Sequence, residues 1–506
     1  MKKIMLCLLT TGLIFSIIGC NPAQKNTTTS GSEEIRLKWI MPGPGEQKDS
    51  PKVWAEFNNQ LKAVKGFENV TVDFSVIPSA DYKQKFLLLR AGGENIDIAQ
   101  TYTLDFVNEV RTGTFIQIED LIERNAPNLK KSMPDYMWNY GMVDSKLYLV
   151  PNYQQMSTPI YGLRTPTKLA EKYLDTKKME QVFYSNKNLS KESYDVIEEY
   201  LEKLKANGLI GLGINNMGLP VAKGYEQIIS SYRYKITEDK VTVEDIHKSD
   251  EYKLYIKTMS DWYKKGYIRK DVLSAKREDD NGKENGNAIW FDQTWKGAKE
   301  NDTKKYGMDI TVIPMQDYYF IPYIAPAGGN AIMSTCKNPD AAIKLLELMN
   351  SEKGKSLYNL LVYGIEGEHY TKMGEDKIQT LDYTGGATSS AKYGLWKWVV
   401  GNASMAYDTQ SDTEGWKNYI FKQINEGEGT VKSKLLGFTP NLKPIETKLA
   451  QVNTVATEYS GVLLSGSLAE YEQHYNSFME KLEKAGNNEV LNELQKQVDE
   501  FMAKKK

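Results

Sequence analysis

The largely apolar stretch from Ile35 to Met41 predicts a strand, stopped by Pro42-Gly43-Pro44-Gly45. Val53, Trp54, Phe57, Leu61 and Val64 then share one helical face, with Gly66 as a C-terminal cap. Val70, Val72, Phe74 and Val76 alternate as a half-buried strand. Ser79 stands where it would cap a helix carrying Tyr82, Phe86 and Leu89, closed by Gly92-Gly93. Ile96 and Ile98 open a strand ending in Gln100-Thr101-Tyr102. Strand, helix, strand, helix, strand in quick succession predicts a parallel α/β sheet. Its strand ends gather Trp39 or Met41, Ile77 and Tyr102 on one edge, where open α/β sheets hold their ligands.

Further along, Leu147-Tyr148-Leu149-Val150-Pro151 is a short apolar run that a proline must end, because proline donates nothing to a sheet ladder. Asn152-Tyr153-Gln154-Gln155 follows, rich in hydrogen-bonding groups. A second run with the same ending, Ile310 to Pro314, suggests two crossings of one boundary. Between them the pattern predicts helices at 194–205 and 254–263, and strands at Leu209–Ile214 and Ala288–Phe291. Asn338-Pro339-Asp340 starts a helix that runs through Met349. Three helical periods fill the tail from Leu442 to Phe501.

A chain of 506 residues exceeds one core, so at least two domains are expected. A net charge of −2 leaves no basic excess for nucleic acid. Tyr is abundant, 32 against 14 Phe, and its flat face with a hydroxyl tip suits a polyhydroxylated ligand or a wet surface equally. Of the cysteines Cys7, Cys20 and Cys336, only the last lies in the body, so no internal disulfide is expected there. The scattered His247, His369 and His474 show no metal-ligand spacing, and no metal or cofactor is expected. Gly211 and Gly213 do not make a phosphate loop, because Asn216 stands where the third glycine would be. Lys2-Lys3, the apolar run Ile4 to Ile18 and then Gly19-Cys20 form a secretory leader, shorter than the ~20 residues that span a bilayer.

Ile17-Ile18-Gly19-Cys20 resembles a bacterial lipobox, which implies lipidation at Cys20 and a flexible tether through Ser32. From there to its end the chain resembles the extracellular carbohydrate-type solute-binding lipoproteins of ABC importers. The resemblance rests on Leu147 to Asn152, Val312-Ile313-Pro314, Lys337-Asn338-Pro339, Tyr358 to Tyr370, Gly401-Asn402 and the tail from Gly437-Phe438 to Gln495-Lys496-Gln497. The tail is similar to a C-terminal domain of unknown function found in a Gram-positive subgroup. Asp382 to Leu395 and Asp408 to Glu428 depart from the family pattern.

The resemblance implies a two-lobed α/β fold of the periplasmic-binding-protein type (type II), with lobes joined by crossing hinge strands and a helical C-terminal segment. The expected division is a signal peptide at 1–19, a tether at 20–32, lobe one at 33–150 and 315–355, and lobe two at 151–314 and 356–436. Residues 437–506 would pack on the lobes. It also implies a monomer, lipid-anchored on the extracellular face of the cell membrane, that carries a carbohydrate to ABC permease subunits. Proteins of this class close their two lobes over the ligand by a hinge motion.

Candidate ligand residues at strand ends and crossings are Tyr102, Asn152, Tyr153, Asp292, Gln293, Trp295 and Tyr323, joined by Trp396 and Asn402 beside Trp398. Rings against sugar C–H faces, with amides and carboxylates for the hydroxyls, are what a saccharide needs. Core packing is an equal reading for any one of these aromatics. Two alternatives share the sequence. A glycan hydrolase would need two carboxylates ~5–5.5 Å apart if retaining, or ~6.5–9.5 Å if inverting, and no hydrolase motif supplies them. A non-transport ligand sensor would use the same lobes.

Overall fold

A computed structural model describes residues 34–156, 160–185, 190–212, 224–236, 238–274, 281–283, 286–294, 298–315, 328–383, 386–412, 414–426, 433–468 and 470–504. The leader, the tether, Cys20, Trp295 and Tyr323 lie outside the described residues, as does the side chain of Gln293.

In chain order the strands used below are β1 (Ile35–Gly43), β2 (Val70–Pro78), β3 (Ile98–Gln100), β4 (Met142–Val143), β5 (Lys146–Leu147), β6 (Leu149–Pro151) and β7 (Ile160–Pro166). They continue with β8 (Tyr225–Ile229), β9 (Tyr232–Lys235), β10 (Glu244–Asp245), β11 (Trp290–Thr294), β12 (Ile310–Pro314) and β13 (Gly329–Ile332).

The first sheet has the order β2–β1–β3–β13–β6, with β1 parallel to β2 and β3, and β13 antiparallel to both of its neighbours. Period-two alternation divides its residues between two cores. Leu37, Trp39, Met41, Val72, Ile98, Val150 and Ile332 face one core, and Ile40, Ile77, Ala99, Leu149 and Ala331 face the other. Helices Ser50–Lys62, Pro339–Met349 and Lys355–Tyr363 cover the first face through Phe57, Leu346 and Leu361. Helix Tyr82–Ala91 covers the second through Tyr82 and Phe86. Helices on both faces are what a largely parallel sheet requires.

The second lobe is antiparallel. It holds the sheets β11–β7–β12 and β10–β9–β8, with helices Lys191–Ala206 and Asp250–Lys264 packed around Tyr200, Tyr255 and Trp262. The tail helices Glu446–Ser465, Tyr471–Lys484 and Asn487–Lys504 enter this same core through Val452, Leu482, Leu494 and Val498, all fully buried. Gly466 ends the first of them at φ 68, pressed on the backbone of Met259 and Ser260, where a side chain would collide. No helix of the described residues is long and apolar enough to cross a membrane.

Several expectations change. Residues 356–436, expected in lobe two, stay with the first core as far as Phe421, and Leu435 is the first to join the second. The cause is the helix Lys355–Tyr363, in which every residue from Leu357 to Tyr363 is buried. A helix apolar on all sides needs covering on all sides. The two proline-ended runs are not themselves crossings: β6 stays paired to β13, and β12 to β7. Each proline closes its ladder, and the chain changes lobes beyond it. A third passage lies between Phe421 and Leu435. Across Leu209–Ile214 the described residues form only a bridge at Leu212, to Ile268 and Ile289. Asp81, not Ser79, is the cap residue of the helix starting at Tyr82, and Ala63 replaces Gly66 as the cap of the first helix.

Candidate functional site

Because β1, β2 and β3 are parallel, Gly43, Pro78 and Gln100 end at one edge of the sheet. Just beyond that edge the backbone N–H of Tyr102 donates to Oε1 of the fully buried Gln100 at 2.5 Å. Thr103 follows at φ 68. This sharp turn leaves the Tyr102 ring 38% exposed, and it meets Trp398 edge-on with centroids 4.8 Å apart. Trp396 and Trp398 are themselves stacked at 5.5 Å and 21°.

Asn330 fixes the two tryptophans relative to the sheet. From the middle of β13 its Nδ2 donates to the carbonyls of Val399 and Val400, at 3.2 and 3.1 Å, and to Oδ1 of Asn152 at 3.2 Å. Its Oδ1 accepts the indole N–H of Trp39 at 2.9 Å. A buried amide with all these partners clamps the short helix Lys397–Val400 against the strand ends.

The three rings border a cavity of about 570 Å³, whose wall also includes Ser79, Tyr383 and Asp412. That volume lies within the ~300–1,000 Å³ of small-molecule sites. Burial, with Asp382 close by, pushes the Tyr383 hydroxyl well above the ordinary phenol range, so it stays a neutral donor and acceptor. Burial also lowers the Lys397 amine, although Asp412 at 3.4 Å opposes the shift, and the ammonium lies 3.7 Å from the Trp416 ring centre. Rings, hydroxyls and a carboxylate therefore share one concave surface. Among the described residues no group of three or more His, Cys, Asp or Glu side chains gathers as metal ligands would.

Of the residues singled out by sequence, Tyr102 and Trp396 come together here, with Trp398. Asn152 is fully buried behind the edge, accepting from Asn330 while its Nδ2 has no partner among the described residues. Tyr153 is 4% exposed, with its ring 4.9 Å from Phe421 and its hydroxyl donating to Glu426 at 2.8 Å. Asn402 caps a helical turn, accepting from the Ser404 N–H at 3.0 Å and donating to Ser132 O at 2.8 Å. Asp292 and Gln293 sit on β11 in the second lobe, paired with Gly162 and Tyr161, and the Asp292 carbonyl accepts from Arg164. Ser79, Tyr383, Asp412 and the clamping Asn330 were not anticipated. Only the strand-end position of Ser79 could have signalled one of them.

Residues 434–503 match the family described as Domain of unknown function (DUF3502). A Carbohydrate ABC transporter substrate-binding protein of Streptococcus pneumoniae is 23% identical over 465 residues, covering 88% of each chain. The chain is therefore similar to a carbohydrate ABC transporter substrate-binding protein along most of its length, and to the DUF3502 family at its C-terminal end. Among solved structures, the N-glycan transport solute binding protein NgtS of Streptococcus pneumoniae superposes with a TM-score of 0.74 at 20% identity, covering 94% of this chain and 100% of that one. An HMO-binding, ABC-transporter-associated solute binding protein of Bifidobacterium longum infantis gives 0.57 at 14% identity, covering 93% and 99%. These structures share the α/β solute-binding fold. In this chain the matched DUF3502 segment is the one whose helices complete the second lobe's core.

Proposed function

We propose that this protein captures an oligosaccharide on the shelf formed by Tyr102, Trp396 and Trp398 and delivers it to an ABC permease. The observation that carries the reading is the shelf itself: three rings around a cavity of about 570 Å³ at the carboxyl edge of the first sheet. Flat rings cover the C–H faces of a sugar, while Ser79, Tyr383 and Asp412 supply partners for its hydroxyls. The printed descriptions of the similar structures, N-glycan transport and HMO binding, support a saccharide ligand.

In this reading the second lobe closes over the bound sugar, and the closed form is the one the permease accepts. Ligand drives that switch only through its greater affinity for the closed state. The protein works as a monomer, held to the extracellular face of the membrane by acyl chains on Cys20, as the leader pattern Ile17-Ile18-Gly19-Cys20 suggests.

A thermal-shift screen against a panel of saccharides, peptides and lipids tests the reading. A binder raises the unfolding midpoint in proportion to RT ln(1 + [L]/Kd). Shifts confined to saccharides are expected. Shifts with peptides or lipids and none with saccharides would overturn it, and release of product from an incubated oligosaccharide would point to a hydrolase.

A further inference from the structure

A second cavity, also of about 570 Å³, opens between the first lobe and the DUF3502 tail. Arg111, Asn139 and Asp144 line one side, and Thr439, Glu500 and Phe501 the other. Its walls are firmly set. Asp144 and Ser145, at φ 49 and 66, make the tight left-handed turn that joins β4 to β5, and Arg111 lies 3.4 Å from Asp144. Gly437 brings the tail so close that a Cβ there would sit 3.1 Å from that of Asn139. On the tail side, Gln497 pins the loop at Asn441 with hydrogen bonds of 2.7 and 3.0 Å to its backbone.

Asn139, Thr439 and Glu500, by contrast, spend no side-chain hydrogen bond or ion pair on any other described residue. An amide, a hydroxyl and a carboxylate thus face one space with their hydrogen-bonding capacity open, beside the half-buried Phe501 ring. Positive Arg111, Lys496 and Lys504 are balanced by Asp144, Glu493 and Glu500, so the cleft selects neither anion nor cation. Its chemistry is that of a neutral polyhydroxylated ligand. Val107, on this cavity's wall, follows Tyr102 of the aromatic shelf by five residues, so their Cα atoms lie at most ~18 Å apart.

We infer that the cleft is a second subsite of the same ligand site. One end of an oligosaccharide rests on the aromatic shelf, and its distal arm hydrogen-bonds to Asn139, Thr439 and Glu500. The DUF3502 tail is then a ligand-contacting wall that favours long saccharides over short ones. This rests on the carbohydrate reading above.

Calorimetric titration of the full chain tests it, with manno- and fructo-oligosaccharides from disaccharide to hexasaccharide, and with Man1GlcNAc and Man5GlcNAc. The proteins compared are wild type, the double variant Asn139→Ala with Glu500→Ala, and Trp398→Ala. Asn139 and Glu500 are both exposed, so the double variant keeps its core. Wild type should bind the longer members of a series roughly tenfold or more tightly than the shorter, a difference of about 1.4 kcal/mol. The double variant should lose that gain and keep wild-type affinity for the shortest binder, whereas Trp398→Ala weakens every length. A double variant that retains the length dependence, or a wild type that shows none, overturns the subsite while leaving the shelf in place. A wild type that binds no saccharide of any length overturns both.

Discussion

Asn425 holds the backbone of Met156: its Oδ1 accepts the Met156 N–H at 2.8 Å, while its Nδ2 donates to the Gln154 carbonyl at 2.7 Å. Both groups of this fully buried amide are engaged by the segment that leaves β6, and Asn425 itself lies on the third passage between the cores. Two of the three passages are therefore laced together by one side chain. Asn425→Ala leaves the buried Met156 N–H without its partner, at a cost of about 1–3 kcal/mol. Urea unfolding should show a fall of that size. An unchanged midpoint would mean that the two passages do not depend on this amide.

Asn330 makes a different kind of prediction, because it positions the shelf without lining it. Asn330→Leu strips the Trp39 indole N–H of its acceptor and two carbonyls of the Trp-bearing helix of their donor. Each buried group so abandoned costs about 1–3 kcal/mol. Stability and saccharide affinity should fall together, and Trp fluorescence of the ligand-free protein should change as the 396–400 segment shifts. Normal affinity in a destabilised variant would confine Asn330 to the fold.

Asp245 joins the tail to the second lobe. Burial would raise its carboxyl, but His247 at 2.9 Å and the Asn487 amide at 2.9 Å outweigh burial and leave it below the ordinary carboxylate range. Tyr232 reaches the same Asn487 through its hydroxyl, and Tyr475 donates to the His247 carbonyl. The folded state thus gives up this proton more readily than the unfolded chain. The resulting stability is complete above the unfolded value of ~3.9 and is lost as pH falls through the lower folded value. Between pH 5 and the acid side of that window, the thermal midpoint of wild type should fall more steeply than that of Asp245→Asn. Parallel curves would remove Asp245 from the acid response.

Much of the first lobe was legible because its strands alternate with period two and its helices with period 3.6, and both patterns are local. Tyr102 could be found for the same reason, as a strand end in a parallel sheet. Asn330 could not, since nothing near it in sequence announces partners at Trp39, Val399 and Val400. Tyr383 and Asp412 come from the two stretches that depart from the family pattern, and those stretches build the cavity wall. The polar run after Pro151 misled for a related reason. Composition cannot distinguish a loop open to a cleft from one covered by a distant passage, here the one carrying Phe421, Asn425 and Glu426.

That covering reverses the expectation for Tyr153. Its ring packs in the first core, so Tyr153→Ala should act as a large core truncation and cost about 3–5 kcal/mol in urea unfolding. A variant of near-normal stability with lost ligand binding would put Tyr153 back on the cleft.

Capture on the shelf requires a saccharide to lie on the rings of Tyr102, Trp396 and Trp398, and Trp398 touches both of the others. The most direct test is calorimetric titration of wild type and Trp398→Ala with the saccharide that gives the largest thermal shift. The variant should still unfold cooperatively and bind roughly tenfold or more weakly, the loss of about 1.4 kcal/mol or more expected when a stacking ring is removed. Equal affinity in the two proteins would contradict binding on the shelf.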